Sequence, residues 1–283
     1  MAYLAQNRYG KSRVRLVKVT RLADRHEMKE WTVGVYLEGD FESCFTIGDN
    51  SKILPTDTMK NTVYFVARDS TATTMEEYAK ELVDFLLSRN AQVSSASVEI
   101  VEKPWQHVPV HGAPHPTTFQ QSGPDVHTCT VTRTQGGQFS IRAGVRGLVI
   151  LKTTKSAFTG YIKDELTTLP ETRDRLFGTE AEITWNYGHN NPAFAEVREW
   201  IMRTLLTSFA EHDSLSVQHT LYAMGTDVLA AAPAVTEITL TMPNRHCLLV
   251  DLSRFGQDNP NEIFVPIDEP HGYIEARITR NKQ

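Results

Sequence analysis

Alternating apolar and polar positions predict strands in the first half of the chain. In the segment WTVGVYL, Val33, Val35 and Leu37 alternate with Thr, Gly and Tyr, which is the period-2 pattern of a strand with one buried face. The run VRLVKV before this segment, and the runs VSSASVEIVEKPW and HTCTVTRT after it, have the β-branched residues that are typical of further strands. We therefore expect a sheet in this half.

A helix is predicted between these strands. In TTMEEYAKELVDFLLSRN, Tyr78, Leu82 and Phe85 recur at helical spacing. Thr74 and Glu77 stand three residues apart at the start of this pattern, so we expect them to form a capping box. The preceding segment TDTMKNTVYFVARD is ambiguous, because its apolar residues suit a helix by their spacing and a strand by their type.

The second half repeats this order. It begins after Gly136 and Gly137, the clearest turn signal in the chain, and opens with the strand-like runs FSIRAGVRGLVILKT and AEITWNY. Apolar residues then recur every three or four positions over 194–209 and 217–228, which predicts two amphipathic helices, the second ending before Pro233. The runs EITLTM, HCLLVDL, EIFVPI and YIEARITR are the final candidate strands.

This repetition predicts the fold class and the domains. Strands, then one or two helices, then strands in each half indicate an α+β fold, with antiparallel sheets and helices on one face. We place the two duplicated domains at residues 1–136 and 137–283. Closing the sheets of several subunits into a barrel removes the open edges of such sheets, so we also expect an oligomer.

Composition narrows the class of protein. The 283 residues are 40% hydrophobic and 22% charged, which is ordinary for a soluble protein with a sizeable core. A net charge of −5 argues against nucleic acid or an anionic membrane as the main partner. No apolar run approaches the roughly 18 residues of a membrane-spanning helix, and the N-terminus has no signal-peptide pattern. Three scattered cysteines, Cys44, Cys129 and Cys247, suit a reducing compartment. We expect a soluble, cytoplasmic protein.

The sequence contains no familiar cofactor motif. There is no GxGxxG dinucleotide loop, no GxxxxGK[ST] phosphate loop and no HExxH metal motif. His107, His111 and His115 recur every four residues in HVPVHGAPHP and would share a helix face, but the prolines and glycine among them forbid a regular helix. We expect a strand end and a turn here, with solvated imidazoles and no metal site.

The pair Asn244 and His246 combines two strong hydrogen-bonding side chains. The two residues stand two positions apart in MPNRHCLLVDL, and in an extended chain such residues point the same way. Taken alone, they are typical of polar residues at the wet end of a strand. Cys247 faces the other side of such a strand, so we expect it to pack in the core.

Four separated segments, in this order, resemble the urate oxidases (uricases). They are NRYGKSRVRLVKV, TDTMKNTVY, GYIKDELTTLPETRDRLFGT and PNRHCLLVDL followed by GQDNPNEIF, and the resemblance runs from about Arg8 to Arg280. The resemblance implies two tandem T-fold (tunnelling-fold) domains and a homotetramer around a central tunnel. It also implies oxidation of urate by O2 to 5-hydroxyisourate and hydrogen peroxide, with neither metal nor organic cofactor.

The resemblance assigns a proton relay to Lys11, Thr56 and His246. An ordinary lysine is protonated at neutral pH, so Lys11 needs burial or charged neighbours to act as a base. The Thr56 hydroxyl can both donate and accept, and an imidazole titrates near neutrality. Asn244, together with Thr56, is implied to hold O2 or water above the urate ring. In isolation, Lys11 is typical of a surface lysine and Thr56 of a helix N-cap.

The remaining matched residues are implied to bind substrate. Arg175 has a planar fork suited to an oxygen-rich anion, Gln218 offers an amide to the opposite edge, and Phe158 would stack on the ring. Asp57 and Val217 match residues whose backbone lines the pocket. The resemblance places Lys11 and Thr56 in one subunit and Phe158, Arg175, Gln218, Asn244 and His246 in its neighbour. The sites would then form only at subunit interfaces.

Two departures from the family pattern and two rival functions remain. Pro55 stands before Thr56, where members of the family often have a small residue, and is expected to stiffen this loop. The chain ends in TRNKQ without an SKL-type peroxisomal signal, which favours a cytoplasmic protein.

One rival is a T-fold protein that binds a purine or pterin without oxidising it. The other is a metal-dependent T-fold enzyme similar to the pterin-forming cyclohydrolases.

Overall fold

The computed structural model describes residues 2–267 and 269–280. The order of strands and helices in the first half of the chain recurs in the second half. The strands are β1 (Tyr9–Arg21), β2 (His26–Gly39), β3 (Val93–Lys103), β4 (Trp105–Val110), β5 (Ala113–Gln121), β6 (Val126–Thr134), β7 (Phe139–Lys152), β8 (Phe177–Tyr187), β9 (Val235–Thr241), β10 (Asn244–Arg245), β11 (Cys247–Leu249), β12 (Phe264–Pro266) and β13 (Glu275–Thr279). The helices are α1 (Glu42–Thr46), α2 (Thr56–Asp69), α3 (Met75–Arg89), α4 (Phe194–Glu211) and α5 (Val217–Ala231), with one 3-10 turn at Ser253–Phe255.

The chain forms two compact units. The first consists of Met1–Gly144 and Asn186–Ala195, and the second of Val145–Trp185 and Glu196–Gln283. Gly136 has a φ of 72° in the turn after β6, from which the order of elements starts again. The division into domains 1–136 and 137–283 stays a prediction.

In the first unit, four strands pair in the order β1-β2-β3-β6, and the three pairings are antiparallel. Val33, Val35 and Leu37 of β2 are fully buried, as their alternation predicts. The ring of Trp31 stacks on that of Tyr78 in α3, with centroids 5.0 Å apart. The helices thus cover the apolar face of this sheet.

The second unit has the same strand order, β7-β8-β9-β13. Ala181, Ile183 and Trp185 alternate as buried residues along β8. Helix α5 packs closely on β13 at Gly225, where an added Cβ would lie 2.5 Å from Cδ1 of Ile278 and this side chain would have to shift. Each unit also inserts a hairpin before its last sheet strand, β4–β5 in the first and β11–β12 in the second.

The structure resolves the ambiguous elements. Residues 56–69 form a helix, so spacing rather than residue type decides this segment. The capping box of Thr74 and Glu77 is confirmed, with both reciprocal bonds present. The late strands are shorter than the runs that predicted them, because HCLLVDL and EIFVPI pair over three residues only. Cys247 is half-buried, so its predicted place in the core is wrong.

Candidate active site

Lys11 lies at a distortion in β1. It pairs with Val35 of β2, and the register then shifts before Val14, so the strand bulges directly after the lysine. A Cβ added at Gly10 would lie 2.0 Å from the carbonyl oxygen of Val35, which means that only glycine fits beside Lys11. The half-buried lysine is therefore held by closely paired backbone on one side.

Thr56 and Asp57 are the first two residues of α2. Pro55 occupies the N-cap position and makes no side-chain bond, so the isolated interpretation of Thr56 as the cap is wrong. The first backbone N–H groups of a helix have no partner within it, and the helix dipole favours an anion there. Both side chains are exposed beside these groups.

Asp57 provides a link to Lys11. Its carboxylate accepts a hydrogen bond of 2.5 Å from Nζ of Lys60 and one of 3.2 Å from Asn61. The bond from Lys60 is the main reason that the pKa of Asp57 lies below its usual range, and the charge of Lys11 adds to the effect. Lys11 and the start of α2 are thus electrostatic neighbours.

In the second unit, the chain around Phe158 connects two other candidate segments. Backbone bonds join Ala157 to Ser214 at 2.7 Å and Phe158 to Thr172 at 2.8 and 3.1 Å. Ser214 lies just before α5, and Thr172 lies just before Arg175. These bonds bring the Phe158 segment beside the start of α5 and the segment that carries Arg175.

Val217 and Gln218 are the first two residues of α5. The hydroxyl of Ser216 caps the helix by accepting from the N–H of His219 at 3.1 Å. Val217 is buried, whereas the side chain of Gln218 is exposed. This helix start therefore presents an amide side chain next to first-turn N–H groups, as α2 presents Thr56 and Asp57.

An aromatic pair and an arginine lie together in this unit. The rings of Phe158 and Tyr161 are stacked, with centroids 4.8 Å apart and planes 15° apart. The guanidinium carbon of Arg175 lies 5.3 Å from the centroid of Phe158. Nε of Arg175 is buried without a hydrogen-bond partner among the described residues, and burial lowers the pKa of this guanidinium. An arginine remains protonated in proteins, so this is a cation with unused donor capacity.

Asn244 and His246 lie side by side, as their spacing predicts. Asn244 pairs with Thr179 at the start of β8, and its N–H donates to the carbonyl of Gly272 at 2.9 Å. Its Nδ2 lies 3.5 Å from Nδ1 of His246. Because Arg175 lies two positions before the first residue of β8, this pairing also brings the two side chains near the guanidinium, whose charge affects His246.

The surroundings of His246 favour its neutral form. Burial, followed by the positive charge of Arg175 and by an electrostatic contribution of His271, holds the pKa of His246 below the usual histidine value of 6.5. At neutral pH the imidazole is thus able to accept a proton. His271 was not among the sequence-predicted residues, because only the pairing of Asn244 with Gly272 brings it to this site.

The nine candidate residues are divided between the two units. The first unit holds Lys11, Thr56 and Asp57, and the second holds Phe158, Arg175, Val217, Gln218, Asn244 and His246. Sequence reasoning gave no role to Tyr161, although its segment was one of those that carry the family resemblance. Its ring covers one face of Phe158, which a one-dimensional pattern does not reveal.

The histidine cluster has the hairpin geometry expected from its prolines. His107 lies on β4 and His115 on β5, with Nδ1 of His107 2.7 Å from the carbonyl oxygen of His115, while His111 is in the turn. Over 2–267 and 269–280, no three His, Cys, Asp or Glu side chains are grouped as metal ligands would be. Nor does that part of the chain contain a helix long and apolar enough to cross a membrane.

These features define an α+β protein whose second unit offers a cation, an aromatic face and polar side chains to a small, flat, anionic molecule. The model of the uricase family matches residues 7–132 and 141–275 of the chain. The chain belongs to the uricase family.

Individual relatives agree over the full length. The uricase of Arthrobacter globiformis is 42% identical over 277 residues, covering 98% of this chain and 90% of the relative. The uricase of Dictyostelium discoideum is 34% identical over 283 residues, covering 99% of each.

Solved structures show the same fold. The crystal structure of the Arthrobacter globiformis uricase superposes with a TM-score of 0.94 at 40% identity, covering 100% of this chain and 96% of that one. The urate oxidase of Bacillus sp. TB-90 superposes with a TM-score of 0.81 at 23% identity, covering 97% and 100%, and shows the fold alone.

Proposed function

We propose that the chain is a cofactor-independent urate oxidase that converts urate, O2 and water to 5-hydroxyisourate and hydrogen peroxide. Membership of the uricase family supports the reaction. The observation that carries the binding of urate is the half-buried guanidinium of Arg175, whose Nε has no hydrogen-bond partner among the described residues. A buried donor of this kind is costly unless a ligand satisfies it.

Urate fits the groups around this guanidinium. The fork of Arg175 binds an anionic, oxygen-rich edge, and the amide of Gln218 binds the opposite edge. The urate ring stacks on the aromatic ring of Phe158. Backbone N–H groups at Val217, and at Thr56 and Asp57, stabilise the negative charge because they belong to helix N-termini.

Lys11, Thr56 and His246 pass protons during the reaction. Lys11 accepts a proton through the Thr56 hydroxyl, which donates and accepts at once. His246 is the other acceptor, and the burial that lowers its pKa keeps it neutral at pH 7. The amide of Asn244, held 3.5 Å from His246, binds O2 and then water above the ring together with Thr56.

The chemistry balances without a further redox partner. Urate loses two electrons and one proton, and O2 gains two electrons and two protons to leave as hydrogen peroxide. Water forms the new C5–O bond and supplies the second proton. The work of the protein is deprotonation, positioning and charge stabilisation.

The active sites lie at subunit interfaces of a homotetramer in the cytoplasm. The first-unit group comes from one subunit and the second-unit group from its neighbour. In the single chain, Ile162 and Leu166 are 93% and 82% exposed on the loop that follows Phe158. Apolar side chains so exposed beside a site support contact with another copy there.

The test uses protein dialysed against EDTA and mixed with urate in air-saturated buffer. We expect loss of urate absorbance, O2 uptake and peroxide release at equal rates. If urate binds but is not consumed, the chain is a purine-binding protein and the relay is wrong. If activity returns only with added zinc or another metal, the cofactor-independent mechanism is wrong.

A further inference from the structure

The hydroxyl of Tyr9 joins β1 to the loop before α2. It donates to the carbonyl oxygen of Leu54 at 3.2 Å and accepts from the N–H of the same residue at 2.9 Å. A single hydroxyl therefore satisfies both backbone groups of Leu54, which fixes the position and the orientation of this peptide segment.

The ring of Tyr9 is itself held in place. It packs edge-on against Phe41, with centroids 4.8 Å apart at 90°, and Phe41 is fully buried. On the other side, Gly10 lies so close to the carbonyl of Val35 that β1 and β2 approach without an intervening side chain. The hydroxyl thus projects from a rigid part of the sheet.

The bond lies next to two proposed relay residues. Tyr9 and Lys11 pair in register with Leu37 and Val35, so they stand two positions apart on one face of the strand. Leu54 stands two positions before Thr56, with only Pro55 between them. A hydroxyl that fixes Leu54 relative to Tyr9 therefore fixes the start of α2 relative to Lys11.

We infer that Tyr9 is a positioning residue that holds the Thr56 hydroxyl in line with Lys11. The inference rests on the proposed relay. Because Pro55 leaves α2 without a side-chain cap, the tyrosine takes over the anchoring of this helix start from outside the helix. Tyr9 would then act through Thr56 without touching urate.

The chain offers a matched control. The hydroxyl of Tyr64 on α2 donates to the carbonyl oxygen of Arg15 on β1 at 3.3 Å, so it joins β1 to the helix itself, about two turns beyond Thr56. Removing this hydroxyl weakens the same contact without loosening the end that carries Thr56. Tyr64→Phe is therefore the control for Tyr9→Phe.

We expect Tyr9→Phe to lower kcat by about tenfold or more, because small misplacements of reacting groups are costly. The KM for urate should change by less than about threefold, since Arg175, Gln218 and Phe158 are untouched. The solvent isotope effect on kcat should also rise, as proton transfer becomes slower. Tyr64→Phe should leave all three quantities near wild type.

Two outcomes would overturn the inference. One is a kcat and isotope effect for Tyr9→Phe equal to those of Tyr64→Phe, measured where thermal unfolding shows both variants folded. The other is a rise in KM that accounts for the whole loss, which would make Tyr9 a binding residue. Phe41→Leu keeps the Tyr9 hydroxyl but removes the ring against which Tyr9 packs. This variant should also lower kcat, but to a smaller degree.

Failure of the proposed function itself is separable. Wild-type turnover and its loss in Lys11→Met test the relay before Tyr9 is changed. If Lys11→Met is inactive while Tyr9→Phe behaves as wild type, only the role of Tyr9 is wrong.

Discussion

At the scale of single residues, the proposed site combines partial burial with unused bonding capacity. Arg175 has a buried Nε without a hydrogen-bond partner among the residues that the structure describes, and burial and the positive charge of Arg175 favour the neutral form of His246. Neither property follows from the residue type, since a lone arginine or histidine in a polar segment is usually solvated. The charge of Arg175 affects His246 because the pairing of β10 with β8 brings together residues about 70 positions apart.

The sequence was informative where spacing alone decides the geometry. Asn244 and His246 are two positions apart and do lie side by side. The roles of Tyr9, Tyr161 and His271 were not predicted, because each depends on a contact with a residue distant in sequence or across a loop. Local periodicity contains no information about such contacts.

The environment of His246 leads to a prediction about pH. A lowered pKa means that neutral His246 persists at neutral pH and is lost only as the pH falls through a value below 6.5. His271→Asn removes one of the groups that lower the pKa of His246, so this pKa should rise towards its usual value. The acid limb of kcat/KM should therefore move to higher pH.

The measurement is a pH profile of kcat/KM for wild type and His271→Asn. His219→Asn is a suitable control, because His219 does not contribute to the lowered pKa of His246. An acid limb at the same pH in wild type and His271→Asn would remove His271 from the electrostatics of the site.

At the scale of elements, the two ends of the helices have different roles. The starts of α2 and α5 carry proposed binding residues. Cations from other elements donate to carbonyl oxygens at the helix ends. Nζ of Lys18 donates to Ala67 and Ser70 at the end of α2, and Nζ of Lys152 donates to Phe209 and His212 at the end of α4. Arg280, which follows β13, donates to Leu229 and Ala232 at the end of α5 and to Val235 at the start of β9. A cation there compensates the negative end of the helix dipole.

The sequence predicted the helix starts better than these ends. Thr74 and Glu77 are only three positions apart, so their capping box can be recognised from the sequence alone. Lys152 lies 60 positions before the carbonyl of His212 that it binds, and no local signal indicates the contact.

Replacement of Lys152 is therefore expected to destabilise the fold. Lys152→Met keeps the aliphatic chain but leaves the last carbonyls of α4 without their donor, which should cost about 1–2 kcal/mol. Urea unfolding measures the loss. Lys155→Met, at an exposed lysine 3.8 Å from Asp213, should change the midpoint much less, and equal effects would contradict the capping role.

In the whole molecule, the same order of strands occurs twice. The order β1-β2-β3-β6 recurs as β7-β8-β9-β13, which confirms the duplicated α+β fold that periodicity predicted. The candidate residues do not follow this duplication. Lys11 and Thr56 lie in the first unit, and the residues proposed to bind urate lie in the second. Sequence patterns predict the repeat of elements but do not determine the assembly.

If each active site contains residues of two subunits, two variants that are inactive alone should complement each other. Lys11→Met and His246→Ala should each be inactive alone. If Lys11 of one subunit works with His246 of another, unfolding and refolding an equal mixture should restore about a quarter of wild-type activity, because random assembly pairs two intact groups at that frequency. A mixture that stays inactive, although mass measurement shows mixed oligomers, would contradict interface sites.

The most direct test of the proposed proton relay is the turnover of Lys11→Met. We predict a kcat at least about 100-fold below wild type, the usual contribution of a proton-transferring side chain, with urate still bound. Lys29→Met on the neighbouring strand, at a half-buried lysine whose Nζ lies 3.9 Å from the Glu102 carboxylate, should retain full activity. If Lys11→Met oxidises urate as fast as wild type, the relay of Lys11, Thr56 and His246 is wrong.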